Sequence, residues 1–229
     1  MAEKKSTEEV ISALVTDIIW PLYKSKTIKW KGKNNSGKYY SEIISDYLLE
    51  KDILSYISKI KEIKRKNYKT DNHDGKTRST NRKEENFAKK LKGKELNGLG
   101  KVLDYQVPLK AKQRDKAGKV DFITYNADTK TAHIVELKYG KNEEPLLRAV
   151  LEISTYFQQL CKENFIKSFE EYRRLNNDSV KKAVLVWEKT QAYKEAKELN
   201  QRPKLKELIK KLKVDVFTGK DQLSVECLK

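Results

Sequence analysis

The hydrophobic and polar positions in the first part of the chain form two helical patterns, which a polar segment follows. Over residues 7 to 19 apolar side chains recur every three or four positions, which predicts an amphipathic helix that Pro21 stops. A second helical pattern runs from Ser41 to Ile63, with a break near Asp52. From Lys64 to Arg82 apolar residues nearly disappear, which is typical of a linker or a loop.

The later part of the chain mixes helical and strand-like patterns. Each strand-like segment is rich in β-branched and aromatic residues, and each helical one repeats apolar positions at helical spacing. The predicted elements are a helix near 81–91, strands at 103–109, 118–126 and 132–138, a helix opened by Pro145, a buried strand at 182–187, two short helices within 190–213 interrupted at Pro203, and a terminal strand or hairpin within 214–226. We therefore predict an α/β fold divided into a helical N-terminal region (1–68), a basic polar linker or loop (69–82) and a core (83–229).

The two strands at 118–126 and 132–138 flank a turn-forming segment and predict a β-hairpin. If residues 127–130 form the loop, antiparallel counting places Asp121 directly opposite Glu136. Carboxylates so placed repel each other, and a divalent cation such as Mg²⁺, which binds one or two carboxylates and keeps several waters, would compensate. Lys138 returns to the same face two residues after Glu136. The alternative is a solvated cross-strand cluster that binds no metal.

Asp121, Glu136 and Lys138 together resemble the motif of the PD-(D/E)XK nuclease superfamily, which has the restriction-endonuclease-like fold. Val120 stands where the proline in the name of the motif would be, a position at which many members vary. The resemblance implies an αβββαβ core with a mixed central sheet and metal-assisted hydrolysis of phosphodiester bonds. It also implies that Asp121 and Glu136 hold Mg²⁺, for which Mn²⁺ can substitute, while Lys138 orients water or offsets phosphate charge.

The resemblance also draws attention to residues on two predicted helices. Many family members supply a further acid near the metal from the first helix of the core, and Glu84, on the apolar face, is a better candidate than Glu85. A surface acid near a helix start is the alternative. Glu152 and Tyr156 loosely match a polar residue and a tyrosine four positions apart that many members carry after the Glu-x-Lys strand. Arg148 precedes them by one turn as a candidate contact to nucleic acid, although an ordinary salt-bridged helix face would also produce this row.

The charge balance favours an anionic partner. The formal net charge is +17, and a phosphate backbone is the commonest partner of so basic a chain. Lysine far outnumbers arginine, which a lysine-biased proteome would also explain. The strongest local patch lies between Lys59 and Lys69, either as an arm on nucleic acid or as a solvated helix end. Its candidate contacts are Lys61, Lys64, Arg65 and Lys66.

Several classes of function are disfavoured. Cys161 and Cys227 lack the spacing of a zinc site, and no apolar run approaches the roughly 20 residues that span a membrane. We expect a cytoplasmic protein with no membrane partner.

The expected activity is that of an Mg²⁺-dependent nuclease, with DNA as the favoured substrate and an endonuclease of restriction, repair or phage defence as the favoured type. Two alternative functions stay open: an RNA-directed nuclease with the same site, and a non-catalytic nucleic-acid-binding or assembly module. A homodimer is also possible.

Overall fold

The computed structural model describes residues 4–70, 83–220 and 224–228. In these ranges the chain forms a mixed α/β structure with eight α-helices and one seven-stranded sheet. The helices are α1 (Thr7–Asp17), α2 (Tyr40–Glu50), α3 (Ile53–Ile57), α4 (Lys83–Leu91), α5 (Leu146–Gln159), α6 (Lys162–Lys167), α7 (Gln191–Lys197) and α8 (Pro203–Lys211). The strands are β1 (Glu95–Leu96), β2 (Gly100–Pro108), β3 (Lys119–Asn126), β4 (Thr131–Lys138), β5 (Val180–Trp187), β6 (Val214–Gly219) and β7 (Val225–Leu228). None of these helices is both long enough and apolar enough to cross a membrane.

The seven strands lie in the sheet in the order in which they occur along the chain. β1 to β4 pair antiparallel, β4, β5 and β6 pair parallel, and β7 returns antiparallel to β6. Parallel neighbours need a crossover connection. α5 lies in the crossover from β4 to β5, and α7 and α8 lie in the crossover from β5 to β6. The predicted α/β class with a mixed sheet is confirmed.

The hairpin of β3 and β4 has the predicted register. Asn126 pairs with Thr131, so residues 127–130 form the loop, and the ladder extends to the pair of Phe122 and Val135. The Asn126 side chain accepts a hydrogen bond from the N–H of Thr129 and donates one to the carbonyl oxygen of Gly98, which fixes the turn against the neighbouring strands. Asp121 and Glu136 follow as the next residues beyond the last ladder pair.

Helices cover both faces of the sheet. α5 and α8 pack on one face over the larger apolar core, and α4 packs on the other over a smaller one. β4 is buried at every position, as expected for a strand covered on both sides. Val10 and Ile44 of the N-terminal helices share the larger core with Val150 and Leu208. The N-terminal helices therefore pack directly on the rest of the protein, and the boundary at residue 68 stays a prediction.

The helical N-terminal region ends earlier than the pattern predicts. The break near Asp52 is confirmed, since its backbone is left-handed (φ 47°) between α2 and α3. The helix does not continue to Ile63, however, because the chain leaves α3 at Ile57 and the N–H of Ile63 donates to the carbonyl oxygen of Gln159 at the end of α5. Apolar residues at helical spacing here pack an extended segment against α5. Most of the predicted linker, residues 71–82, lies outside the described residues.

Two helices that begin at a proline are capped by a carboxylate from a different helix. Neither α5, which follows Pro145, nor α8 has a capping side chain of its own. Glu195 of α7 accepts a hydrogen bond from the N–H of Leu146 at 2.9 Å. Glu42 of α2 accepts one from the third residue of α8, Leu205, at 2.8 Å. Because both carboxylates are buried and helix N-termini favour negative charge, these contacts fix α5 on α7 and α8 on α2.

Removing the cap of α5 should lower the free energy of unfolding. Glu195→Leu leaves the N–H of Leu146 without its acceptor, which typically costs about 1–3 kcal/mol. Glu195→Gln keeps an oxygen acceptor and should cost less, the more so because burial already raises the pKa of Glu195 and favours its neutral form. Chemical denaturation of both variants measures the difference. Equal losses would contradict the capping role.

Candidate active site

Asp121 lies at the open end of the hairpin with both carboxylate oxygens held by protein donors. The N–H of Leu137 donates to Oδ2 at 2.8 Å, and the Gln106 side chain donates to Oδ1 at 3.0 Å. Gln106 comes from β2, where its backbone is left-handed (φ 49°). Burial raises the pKa of Asp121 to about 7, although the Lys138 ammonium and the N–H of Leu137 oppose this rise. Asp121 is therefore oriented rigidly in surroundings that disfavour its charge.

Lys138 lies inside a group of carboxylates. Its Nζ is 2.8 Å from Glu136 Oε1, 2.8 Å from Glu144 Oε2 and 3.7 Å from Glu152 Oε2. Burial alone would lower the pKa of Lys138, but the attraction of Glu136 and Glu152 outweighs it and raises the pKa above its ordinary value. Lys138 is therefore an ammonium held in position by its hydrogen bonds to Glu136 and Glu144.

The acids in this group outnumber the cations. Burial raises the pKa of Glu136 well above its usual range, Lys138 opposes the rise, and repulsion from Asp121 and Glu152 adds to it. Such surroundings favour a further positive charge. In the described ranges, no three or more His, Cys, Asp or Glu side chains are arranged to hold a metal ion. Two carboxylates are nonetheless the kind of donor set that Mg²⁺ accepts, because this ion binds one or two carboxylates and completes its shell with water and phosphate oxygens.

Glu152 and Tyr156 bring α5 to the same group. The Tyr156 hydroxyl donates to Glu152 Oε1 at 2.9 Å, while Glu152 Oε2 faces Lys138. Burial and then the charge of Glu152 raise the pKa of Tyr156 strongly, so it stays a phenol. Gly118 makes room for this ring, since a Cβ there would lie 2.3 Å from the Tyr156 hydroxyl oxygen. The structure therefore places Glu152 beside Lys138 and Tyr156 beside Glu152.

Arg148, also on α5, directs its charge into the protein. Its guanidinium forms an ion pair with Glu144 and lies 3.9 Å from Glu152 Oε2, while Nε donates to the carbonyl oxygen of Tyr23 at 3.4 Å. Only 15% of the side chain is exposed. The salt-bridged helix face is thus present, and a contact of Arg148 with nucleic acid stays a prediction.

Glu84 joins α4 to the segment that follows β4. Its Oε1 accepts hydrogen bonds from the Asn142 side chain at 2.7 Å and from the N–H of Tyr139 at 3.2 Å. Glu84, Glu85 and Asp121 line one cavity of about 520 Å³. Either acid of α4 can thus approach a group bound at Asp121, and the metal-binding role of Glu84 stays a prediction.

The predicted basic patch is an extended segment and not a helix end. Arg65 donates from Nη1 to the carbonyl oxygen of Lys110 at 2.5 Å, and its guanidinium lies 5.8 Å from the centre of the Tyr68 ring. Arg65 is therefore held against the protein and contributes to its structure. Of the four candidate contacts in the patch, Lys61, Lys64 and Lys66 are exposed.

Four residues of the site were missed by sequence reasoning. Glu144 could have been predicted from the sequence, because it lies four residues before Arg148 and extends the charged row by one helical turn. The other three reach the site only through tertiary structure: Gln106 through the pairing of β2 with β3, Asn142 through the loop after β4, and Tyr23 through packing against α5.

Asp121 should make stability depend on pH in metal-free solution. The folded protein keeps a proton on Asp121 up to about pH 7, whereas the unfolded chain releases it near the ordinary value of 3.8, so this contribution to stability falls as pH rises through that window. Asp121→Asn removes the fall, and Gln106 can turn its amide to accept from the new side chain. We expect Asp121→Asn to be more stable than wild type above pH 7 and the advantage to vanish near pH 4.

Thermal unfolding in EDTA at a series of pH values measures this effect. Asp128→Asn, in the exposed loop of the same hairpin, is the matched control and should change nothing. A wild type that is at least as stable as Asp121→Asn above pH 7 would show that the Asp121 carboxylate carries no penalty.

Comparison with models of known families, with curated proteins and with solved structures finds no match for this chain. The site is therefore interpreted from its own residues: the half-buried carboxylate of Asp121, the buried carboxylate of Glu136 and the buried ammonium of Lys138 lie at the open end of one hairpin.

Proposed function

We propose that the protein is a metal-dependent nuclease of the PD-(D/E)XK type that hydrolyses phosphodiester bonds, with DNA as its substrate. The observation that carries the proposal is the meeting of Asp121, Glu136 and Lys138 at the end of the β3–β4 hairpin. The order α4, β2, β3, β4, α5, β5 supports a restriction-endonuclease-like core. An endonuclease of restriction, repair or phage defence is the type we favour.

Asp121 and Glu136 would hold the metal, Mg²⁺ or in its place Mn²⁺. The raised pKa of both acids supports this role, because a cation beside them would offset the cost of their buried charges. A bound divalent cation polarises a phosphoryl oxygen and makes hydroxide available near neutral pH. Leu137 and Gln106 keep the Asp121 carboxylate oriented for such a role.

Lys138 would donate a hydrogen bond to a phosphate oxygen and offset the charge that develops there. The carboxylates around Lys138 would repel an approaching phosphate, so we infer that one of them gives way to it. Glu144 is the most exposed of the three, at 30% against 7% for Glu136 and 11% for Glu152. A phosphate oxygen would therefore replace Glu144, which keeps its ion pair with Arg148. Glu152, held by Tyr156, retains the ammonium in position.

A non-catalytic nucleic-acid-binding or assembly module is the second candidate. The observation that favours it is the ion-pair network itself, because Lys138 already meets three carboxylates and the described residues contain no cluster of three metal-ligating side chains. Such a network can support a fold without a metal. A cleavage assay separates the two candidates.

Cleavage should require both a divalent metal and Lys138. Linear, circular, branched and single-stranded DNA, together with RNA, are incubated with Mg²⁺, Mn²⁺ or EDTA. Removing the Lys138 charge would leave buried carboxylates unpaired and destabilise the fold, so the informative variant is Lys138→Arg, which keeps the charge and displaces it. We expect its cleavage rate to fall roughly 10²–10³-fold.

Lys101→Arg, at an exposed lysine of β2 that does not line the active-site cavity, is the control and should cleave normally. Circular dichroism confirms that both variants fold. No cleavage of any substrate by wild type would favour the non-catalytic module, and cleavage of RNA alone would favour the RNA-directed alternative. A Lys138→Arg variant as fast as wild type would remove Lys138 from the mechanism.

The exposed lysines of the basic patch should bind phosphates of the DNA backbone. We expect replacement of Lys61, Lys64 and Lys66 by Gln to weaken DNA binding and to reduce the slope of log K against log salt by about 0.9 for each phosphate that is no longer neutralised. Arg65 is left in place because it holds the carbonyl oxygen of Lys110. Binding titrations at several salt concentrations measure the slope.

The matched control replaces three exposed lysines elsewhere by Gln: Lys51, Lys194 and Lys220. It lowers the net positive charge by the same amount without changing the patch. Equal slopes for the two triple variants would show that the patch binds no phosphates of its own.

A further inference from the structure

A second cavity, of about 790 Å³, lies at the end of the parallel strands opposite to the candidate active site. Val180 and Val214, the first residues of β5 and β6, line it. Lys138, by contrast, pairs with Val186 near the other end of β5. Phe157 at the C-terminal end of α5 forms part of the wall.

Positive charge dominates the lining of this cavity. Six lysines face two aspartates, one of which, Asp215, lies 3.5 Å from the Nε2 atom of His133. The lysines come from α6, α8, the start of β5 and the turn before β6, so they surround the cavity from several elements. They are Lys162, Lys181, Lys182, Lys206, Lys210 and Lys213.

Lys182 is the buried member of the group. It is 7% exposed and points to the same face of β5 as Val184, with its Nζ 4.7 Å from the centre of the Phe157 ring. In the described part of the chain, no carboxylate lies within ion-pair distance of it. Burial lowers the pKa of Lys182 to about 8, and repulsion from Lys162 and Lys213 adds to the shift. The fold therefore buries most of a lysine side chain whose ammonium packs on the Phe157 ring and has no ion-pair partner among the described residues.

We propose that this cavity binds a small anion that carries several phosphate charges, with Lys182 at its centre and Lys162 and Lys213 beside it. Lysine binds phosphate as a point charge, so several ammonium groups can contact different oxygens of one anion without the fixed geometry that the planar fork of arginine imposes. Three ammonium groups from separate elements suit an anion with several charged oxygens.

The phosphates can come from an inorganic polyphosphate or from a nucleoside triphosphate. Leu199 and Ile209 add apolar surface to the wall, which would contact a nucleoside and favour the second source. The site is independent of the proposed nuclease activity, because none of its lining residues belongs to the candidate active site.

Calorimetric titration of tripolyphosphate, and separately of ATP, into the full chain tests the proposal. The solution is held at neutral pH with EDTA and about 0.15 M salt, which screens weak surface binding. We expect saturable binding to one site. Lys182→Met should weaken it roughly 10- to 100-fold, the worth of a charge-assisted hydrogen bond. Lys101→Met, at an exposed strand lysine outside the cavity, should bind as wild type does.

Thermal unfolding shows whether Lys182→Met acts on binding or on folding. Without ligand the melting temperature of Lys182→Met should be no lower than that of wild type, because the variant removes a buried charge. Tripolyphosphate should raise it less than it raises that of wild type. A second variant, Lys162→Gln with Lys213→Asn, leaves the buried position intact and should also weaken binding. Asparagine suits the left-handed backbone at 213 (φ 52°).

Three results would overturn the proposal. The first is no saturable binding of tripolyphosphate by wild type. The second is wild-type affinity in either variant. The third is binding of ATP without binding of tripolyphosphate, because the lysines would then not recognise the phosphates. Tighter binding of ATP than of tripolyphosphate would support a nucleotide as the occupant, and equal affinity would support recognition of the phosphates alone.

Discussion

The ion pairs of the buried Lys138 ammonium hold together the parts of the protein that form the candidate active site. Lys138 and Glu136 belong to β4, Glu144 to the segment before α5, and Glu152 to α5 itself. Without the ammonium these carboxylates would face one another in a poorly hydrated interior. Removing one partner of a buried pair typically costs about 3–5 kcal/mol, so Lys138 adds to the apolar packing that holds α5 over the sheet.

The protein is basic as a whole, but acidic side chains are concentrated at the candidate active site. The chain carries a net charge of +17, yet the end of the hairpin concentrates acids whose pKa values are raised by burial. A phosphate group approaching Asp121 and Glu136 would be repelled by them, while the basic surface would attract the same polyanion from a distance. A divalent cation at the two carboxylates reconciles these opposed effects, because it reverses the sign of the local charge. This argument supports the proposed metal without any appeal to the family motif.

Sequence reasoning succeeded where a local rule decided the structure. Turn-forming residues fixed the loop between Asn126 and Thr131, and that loop fixed the register on which the opposition of Asp121 and Glu136 rests. Helical spacing identified α4 and α5, and a proline opened each of the two helices that Glu42 and Glu195 cap. The spacing rule was wrong after Ile57, where apolar residues pack an extended segment. It also could not supply Gln106, whose contact with Asp121 depends on the pairing of separate strands.

Burying a charged lysine side chain costs free energy, and the protein surrounds its two buried lysines Lys138 and Lys182 in opposite ways. Both are buried lysines on adjacent parallel strands, and both point to the face of the sheet that α5 covers. Around Lys138 the protein supplies carboxylates, and the pKa is raised; around Lys182 it supplies further lysines, and the pKa is lowered to about 8. An apolar side chain would fill the second position without this cost, as Val184 does two residues later on the same strand. An anion bound from solution would account for a lysine at this position, because it would offset the positive charge as the glutamates do around Lys138.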